Sequence, residues 1–336
     1  MRTFAVCLLL LVAIRAHAQG WSEGTELAPG VIAGPQRDIP IPVYTAGTPD
    51  TTIRGMGADG TGRAVALWTH KSGGFTTLYA SRLDGKGNVL LTTPVPGISP
   101  DWSTARFFPT ADGGFLALWV DNIAERYLVK YSFIDSSLQV RGTTVTLASE
   151  DSYIPSTEAD CDKAGCLALW SVRNSPAVYG AHIGFGGEVE AKGKVRDGKF
   201  FFTSVRRGAA GALVILLDTD SYAPWTAIVH DDLSVSPLPS TMGSLSATSR
   251  RADGFLVVHL TNDGTGLAAS VLDWSGRLIA SRPIQKLALD PDFYPLWLEI
   301  TASGSERLVV IGTYESCSGS CGSHLDGARI REDLTP

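Results

Sequence analysis

The chain has 336 residues, and its 34 acidic residues outnumber its 28 basic residues, which gives a formal net charge of −6. Because it contains no run of five basic residues, we expect neither nucleic acid nor an anionic membrane surface as a partner. The 36 glycines and 18 prolines indicate many tight turns rather than disorder.

Residues 1–18 are typical of a signal peptide. Arg2 gives this segment a positive start, an apolar run extends from Phe4 to Ile14, and Ala16 and Ala18 form a small-x-small cleavage site. No later stretch reaches the roughly 18 apolar residues that a membrane-spanning helix needs. We therefore expect residues 19–336 to be secreted or periplasmic, without insertion into a membrane.

The remainder of the chain is dominated by an internal repeat. Related segments end, in chain order, at Trp68, Trp119, Trp170, Leu216, His259 and Ile311. The first three are spaced 51 residues apart, and the later steps are 46, 43 and 52 residues. A period near 50 made of short strands predicts a β-propeller.

Each copy contains four candidate strands, which in the second copy lie near 103–109, 115–120, 127–134 and 138–147. No window shows the apolar spacing of a helix, so we expect almost none. The turn that ends the third strand is predicted, from a near-constant offset, at Asp84, Asp135, Gly184, Asp231, Asp273 and Asp326.

The predicted fold class is therefore all-β, with residues 19–336 forming one six-bladed β-propeller of four-stranded antiparallel blades. The blade cores are expected near 51–97, 102–148, 153–197, 200–240, 245–288 and 293–336. A strand near 40–44 is expected to complete the last blade and close the ring, which removes the open sheet edges that favour aggregation. We expect a monomer.

The pattern Gly-Phe/Cys-Leu-x-x-Trp, followed by a short loop, a strand that begins at Tyr, an Asp turn and a fourth strand, resembles the bacterial secreted β-propeller repeat proteins. The resemblance extends over nearly all of residues 19–336 and is most specific at Cys161–Trp170. It implies a propeller fold and an exported location. Because these proteins share no single activity, it implies no catalytic residues.

Four cysteines lie in two close pairs, Cys161 with Cys166 and Cys317 with Cys321. Export favours two disulfides, each of which closes a loop short enough to contribute about 2 kcal/mol. A four-cysteine zinc site is the alternative. It is disfavoured because the pairs belong to opposite blades of a six-bladed ring, so we expect neither a metal nor a cofactor.

Two other patterns have simple structural explanations. Gly55, Gly57 and Gly60 match the spacing of a dinucleotide-binding loop, but a strand follows them instead of the helix that a phosphate site needs. The repeated tryptophans are expected to pack between blades, and His259, which replaces one of them, is expected in the core. No catalytic triad is apparent.

In a propeller, the loops between successive blades and between strands two and three meet at one mouth of the channel. These loops place aromatic residues beside acids at Asp101, Trp102, Asp151, Tyr153, Tyr222, Trp225, Asp292, Phe293 and Tyr294. Such residues suit the faces and hydroxyls of sugars or segments of peptide. Alternatively, they only cover the ends of the blades.

These observations predict an exported, non-catalytic binding or scaffold protein that recognises a glycan or a protein or peptide. The alternative is a glycan-active hydrolase or lyase that uses two carboxylates among Asp101, Asp151, Glu158, Asp220 and Asp292. Such an enzyme needs two carboxyl groups about 5–9.5 Å apart across a pocket.

Overall fold

The computed structural model describes residues 25–28, 31–33, 50–58, 64–72, 75–84, 89–95, 105–173, 176–239, 243, 245–261, 266–288, 293–303, 306–315 and 323–331. Regular structure within these ranges consists of β-strands, which confirms the all-β prediction. Residues 1–18, residues 40–44 and the pair Cys317 and Cys321 lie outside the described residues.

The strands form a hairpin and a series of antiparallel sheets, in which each strand pairs with the next along the chain. The hairpin and the first two sheets contain β1 (Thr25–Ala28), β2 (Val31–Ala33), β3 (Asp50–Ala58), β4 (Ala64–Ser72), β5 (Phe75–Leu83), β6 (Val89–Pro94), β7 (Arg106–Pro109), β8 (Phe115–Ile123), β9 (Arg126–Ile134) and β10 (Val140–Glu150). The first sheet is β3–β6 and the second is β7–β10.

The later sheets continue the same order. Their strands are β11 (Ser156–Asp162), β12 (Gly165–Val172), β13 (Ala177–Ile183), β14 (Val189–Asp197), β15 (Phe200–Gly208), β16 (Gly211–Asp218), β17 (Pro224–Val229), β18 (Val235–Pro237), β19 (Ser246–Arg250), β20 (Gly254–Leu260), β21 (Gly266–Asp273), β22 (Leu278–Ala288), β23 (Phe293–Ser303), β24 (Glu306–Glu315) and β25 (Ser323–Arg331). The third, fourth and fifth sheets have four strands each, and β23–β25 form a three-stranded sheet.

The chain divides into two compact units. The first unit comprises Asp38–Phe202 and Val229–Val235, and the second comprises Met1–Arg37, Thr203–Ile228 and Ser236–Pro336. In the first unit, β3 lies beside β7 and β7 beside β11, while in the second unit β19 lies beside β23. The leading strands of consecutive sheets are therefore neighbours within each unit.

The second strands β8 and β20 are buried on both faces because each packs against two other sheets. In the first unit, Phe115 and Trp119 of β8 pack with residues of the first sheet, whereas Leu116 and Leu118 pack with residues of the third. Trp170 lies in the cluster that joins the second and third sheets. The repeated tryptophans are all buried, as expected for residues that pack between sheets.

An arginine on a leading strand reaches the leading strand of the next sheet in both units. Arg106 of β7 donates a hydrogen bond from Nη1 to Thr157 O at 3.2 Å and forms an ion pair with Glu158. Arg206 of β15 donates from Nε to Thr248 O of β19 at 3.0 Å. These bonds satisfy carbonyl groups on strands that form one edge of their sheets.

The glycine of the repeated motif is required because it lies against backbone. A Cβ at Gly165 would lie 2.6 Å from Ile183 O, the last carbonyl of the third strand in that sheet. Gly114 lies in the same way against Ile134 O, and Gly254 against Leu272 O. Gly165 also has a φ of 140°, which L side chains rarely adopt. The motif therefore specifies a close approach of the second and third strands.

The hairpin between the third and fourth strands has the same form in four sheets. Its fourth residue has a positive φ and is Leu138, Gly187, Leu233 or Gly276. A leucine with this φ costs about 1–2 kcal/mol in strain. Leu138 is fully buried, and burial of a leucine side chain contributes about 1.5–3 kcal/mol. Burial therefore offsets the strain.

One predicted turn position is wrong, and another lies within its turn but one residue after the hairpin begins. In the fourth sheet the hairpin begins at His230, which pairs with Ser234, one residue before the predicted Asp231. Asp326 is not in a turn, because it lies within β25 opposite Ile311. The segment between β24 and β25 is longer than its counterparts, so a constant offset from Ile311 places the turn too early.

A polar ladder crosses two of the sheets at the repeated tryptophan position. Trp68 Nε1 donates to Ser81 Oγ at 2.9 Å, and Ser81 Oγ lies 2.9 Å from Thr92 Oγ1. His259 is buried, and its Nε2 lies 3.1 Å from Ser270 Oγ. His259 thus takes the place of the indole as a core residue whose ring is hydrogen-bonded.

The Cys161–Cys166 disulfide is present and joins directly opposed residues of β11 and β12. Both cysteines are buried in the cluster that joins the second and third sheets. Lys163 and Ala164 form the tip of this hairpin, where Asp162 Oδ1 accepts a hydrogen bond from Ala164 N at 2.8 Å. The covalent closure therefore reinforces a turn that is already hydrogen-bonded.

Gly165→Ala tests the requirement for glycine. We expect the free energy of unfolding to fall by about 2 kcal/mol or more, because backbone must move as well as adopt a strained φ. Gly187→Ala is the matched control in the same sheet, since its φ is 89° but its Cβ would meet open space. Equal losses in urea unfolding would show that the close approach has no role.

His259→Gln tests the burial of the imidazole. Burial lowers the pKa of His259, although its hydrogen bond to Leu260 O acts in the opposite direction. The unfolded chain therefore takes up the proton first, so stability is complete above the ordinary value of 6.5 and falls as pH drops from there towards the folded pKa. Urea unfolding at pH 7.5 and 5.5 should show that the free energy of unfolding falls less between these two pH values in H259Q than in the wild type. Equal losses in both proteins would contradict this account.

Candidate functional site

A group of polar and aromatic side chains lies where two loops of the first unit meet. Ala124 and Glu125 form the tip of the β8–β9 hairpin, and both have positive φ values, of 50° and 65°. Two such residues form the compact turn that matches the twist of adjacent strands. The turn places Arg126 and Tyr127 at the start of β9, directly beside the end of β10.

We define the Tyr127–Tyr153 cluster as Arg126, Tyr127, Ser149, Asp151 and Tyr153. The two tyrosine rings meet edge to face, with 5.6 Å between centroids. Arg126 donates from Nε to Ser149 Oγ at 2.9 Å and from Nη2 to Ser149 O at 3.3 Å. Its Nη2 also lies 3.4 Å from Asp151 Oδ1. The Arg126 guanidinium and the Asp151 carboxylate are therefore adjacent, and they belong to the same two chain segments that carry the tyrosine rings.

The cluster is accessible but held in place. Tyr153 is 45% exposed, and the side chain of Asp151 is 86% exposed. The backbone of Tyr153 is fixed because its carbonyl accepts a hydrogen bond from Arg173 N at 3.0 Å. Exposed side chains on a fixed backbone are typical of binding loops.

Glu150 adds a perturbed carboxyl group beside the cluster. Burial raises the pKa of Glu150, and the negative charge of Asp151 raises it further, while Lys192 and Arg126 act in the opposite direction. Lys192 is held close by a 2.8 Å hydrogen bond from Nζ to Leu147 O. Two adjacent carboxyl groups thus lie in different environments.

Tyr222 and Trp225, the predicted site residues of the second unit that are discussed next, lie in different environments. Tyr222 is 67% exposed at the tip of the β16–β17 loop, with a φ of 56°. Asp218 Oδ1 organises this loop by accepting hydrogen bonds from Asp220 N and Ser221 N, at 3.0 and 2.7 Å. Trp225 lies in β17, and it is only partly exposed.

Several predictions fall elsewhere. Phe293 and Tyr294 were expected in a loop, but their backbones pair with Glu315 and Tyr314 as the first residues of β23. Residues 101, 102 and 292, which are Asp, Trp and Asp, lie outside the described residues.

Glu158, a candidate acid or base, is engaged in the ion pair with Arg106. Tyr127, by contrast, was missed as a site residue because in sequence it is simply the first aromatic of a third strand. A buried histidine outside the cluster was also missed: His182 Nδ1 lies 2.7 Å from Glu190 Oε2, and its Nε2 lies 3.8 Å from Asp231 Oδ1.

In the described part of the chain, no group of three or more His, Cys, Asp or Glu side chains is arranged to hold a metal ion. Over the same residues, no helix has the length and apolarity to cross a membrane.

No protein-family model matches the chain, and no curated protein is similar to it. Among solved structures, it is similar to the WD40 domain of coronin from Toxoplasma gondii, with a TM-score of 0.45 and 14% identity over 83% of this chain and 73% of that chain. It is also similar to a protein from Lactobacillus plantarum, with a TM-score of 0.45 and 11% identity over 84% of this chain and 83% of that chain. For apo prolyl oligopeptidase B from Galerina marginata, the TM-score is 0.46 and the identity is 10%, over 85% of this chain and 43% of the peptidase. The chain thus spans less than half of that peptidase, and identities this low assign it no activity.

The electrostatics of Glu150 can be measured directly. Asp151→Asn should lower the pKa of Glu150 because it removes a neighbouring negative charge, whereas Lys192→Gln should raise it. Carboxyl ¹³C NMR titrations, assigned with Glu150→Gln, give the pKa in each protein. Shifts in the reverse directions, or none, would contradict the described arrangement.

Proposed function

We propose that this chain is an exported, non-catalytic binding or scaffold protein that recognises a glycan or a peptide through loops at one end of its sheets. The observation that carries the proposal is the Tyr127–Tyr153 cluster. It combines a guanidinium at the start of β9 with a carboxylate and an exposed aromatic ring in the segment that joins β10 to β11. Rigid strands that present such groups reduce the entropic cost of binding.

We propose further that the sheets are the blades of a closed, monomeric six-bladed propeller. Three features support this arrangement: a sequence period near 50 residues, sheets whose strands pair in chain order, and leading strands that are neighbours within each unit. In the second unit, the hairpin β1–β2 lies near β25. An N-terminal segment is therefore close to the last strand of the final sheet, as closure requires.

Export is supported by the features of residues 1–18 and by the Cys161–Cys166 disulfide. Disulfides form and persist mainly in oxidising compartments. A secreted or periplasmic location follows from the proposal, and cell fractionation with mass determination of the mature N-terminus would test it.

A glycan-active hydrolase or lyase is the second candidate. The observation in its favour is the neighbouring carboxyl groups of Glu150 and Asp151, since burial raises the pKa of Glu150 and glycoside cleavage uses two carboxyl groups, one of them with a raised pKa. If the chain is such an enzyme, it should release reducing ends from a polysaccharide, and Glu150→Gln should abolish that release.

The binding proposal is tested by measuring whether Tyr153→Ala abolishes ligand binding. The full chain is screened on arrays of glycans and peptides, and we expect a ligand whose signal falls at least tenfold in this variant. Phe201→Ala is the control, because Phe201 is a similarly exposed aromatic (47%) outside the cluster. A ligand that binds Y153A and wild type equally would contradict the assignment of the site.

A further inference from the structure

Resting on the proposed function, we infer that the ligand of the Tyr127–Tyr153 cluster is a neutral sugar ring of a polysaccharide rather than a peptide or an acidic glycan. The geometry points to this class through three features of the cluster. They are the exposed and supported ring of Tyr153, the hydrogen-bond donor and acceptor of the Arg126–Asp151 pair, and the hydrogen bonds that nearby backbone carbonyl groups already accept.

The first feature is a supported aromatic surface. Tyr127 packs its edge against Tyr153, at an interplanar angle of 78°, and the hydrogen bond from Arg173 N fixes the backbone beneath. Tyr153 therefore loses little freedom when a ligand covers its exposed part. A pyranose has an apolar C–H face of similar size, which stacks on such a ring and removes apolar surface from water.

The second feature is an adjacent donor and acceptor. A guanidinium has five N–H donors, and Arg126 directs Nε and Nη2 to Ser149 and Asp151. Its Nη1 group makes no recorded hydrogen bond among the described residues, and Asp151 presents most of its carboxylate to water. Neighbouring hydroxyls of one sugar ring each donate and accept, so they match this pair.

The third feature disfavours a peptide. An extended peptide that adds to a sheet edge needs free backbone carbonyls and amides. Here Leu147 O accepts from Lys192 Nζ, Ser149 O accepts from Arg126 Nη2, and Tyr153 O accepts from Arg173 N. These three backbone acceptors beside the cluster are therefore already bonded within the protein, and an added peptide strand would have to compete for them.

Charge disfavours an acidic glycan. Arg126 and Asp151 neutralise each other within the cluster, so no net positive charge is left between them to attract a carboxylate or sulfate. At longer range the chain carries a net charge of −6, which repels polyanions. A neutral polysaccharide meets neither obstacle.

The inference is tested by affinity electrophoresis and isothermal titration calorimetry of the full chain. The probes are neutral polysaccharides (xyloglucan, galactomannan and mixed-linkage glucan), the polyanions alginate and polygalacturonate, and a library of casein peptides. We expect binding to a neutral polysaccharide, weakened at least tenfold by Tyr153→Ala and threefold or more by Asp151→Asn. Tyr153→Phe retains the ring and should stay within about threefold of wild type, and Phe201→Ala should leave binding unchanged. Circular dichroism verifies that each variant is folded.

Three outcomes separate this inference from the function on which it rests. Neutral-sugar binding with the expected pattern in the variants supports both. Binding of a peptide or polyanion that Tyr153→Ala abolishes overturns the neutral-sugar inference and leaves the binding site in place. Absence of any binding that depends on Tyr153 overturns both.

Discussion

The close approach of the second and third strands is the constraint on which the sheets depend. At Gly114, Gly165 and Gly254, the glycine at the start of the second strand lies against a carbonyl group at the end of the third. No other residue permits that approach without movement of backbone. The apolar residues that follow the glycine are buried on both faces of the strand.

Apolar burial contributes more to the stability of the sheets than exposed ion pairs do, and it also offsets backbone strain. Between the third and fourth strands, burial of Leu138 or Leu233 outweighs an unfavourable φ. Exposed ion pairs, such as Arg126 with Asp151, add at most about 1 kcal/mol each. The sheets are therefore stabilised mainly by apolar packing, which leaves the polar groups of the loops available for another role.

The sequence predicted the parts of the fold that repeat. The spacing of Trp68, Trp119 and Trp170 identified buried strands, and the replacement by His259 was recognised as a core position. The prediction was wrong at Asp326, because the segment between β24 and β25 is longer than its counterparts, so an offset counted from Ile311 ends inside β25. Offsets measured along the chain locate a turn only where loop lengths are conserved between copies.

The candidate site was less accessible from sequence. Asp151 and Tyr153 were found because an acid beside an aromatic in a loop is a visible pattern. Tyr127 and the ion pair of Arg126 were not, since they depend on which strands pair and on a turn built from Ala124 and Glu125, neither of which is a typical residue for positive φ. Contacts between loops arise from strand register, and no local pattern in the sequence encodes them.

Native-state hydrogen exchange followed by mass spectrometry tests the central claim most directly. If each sheet is a copy of one unit built around the close approach of its second and third strands, slow exchange will recur along the chain in β8–β9, β12–β13 and β20–β21. Exchange in the outer strands β10, β14 and β22 will then be faster. Protection that is uniform across all four strands, or that fails to recur from sheet to sheet, would contradict the account.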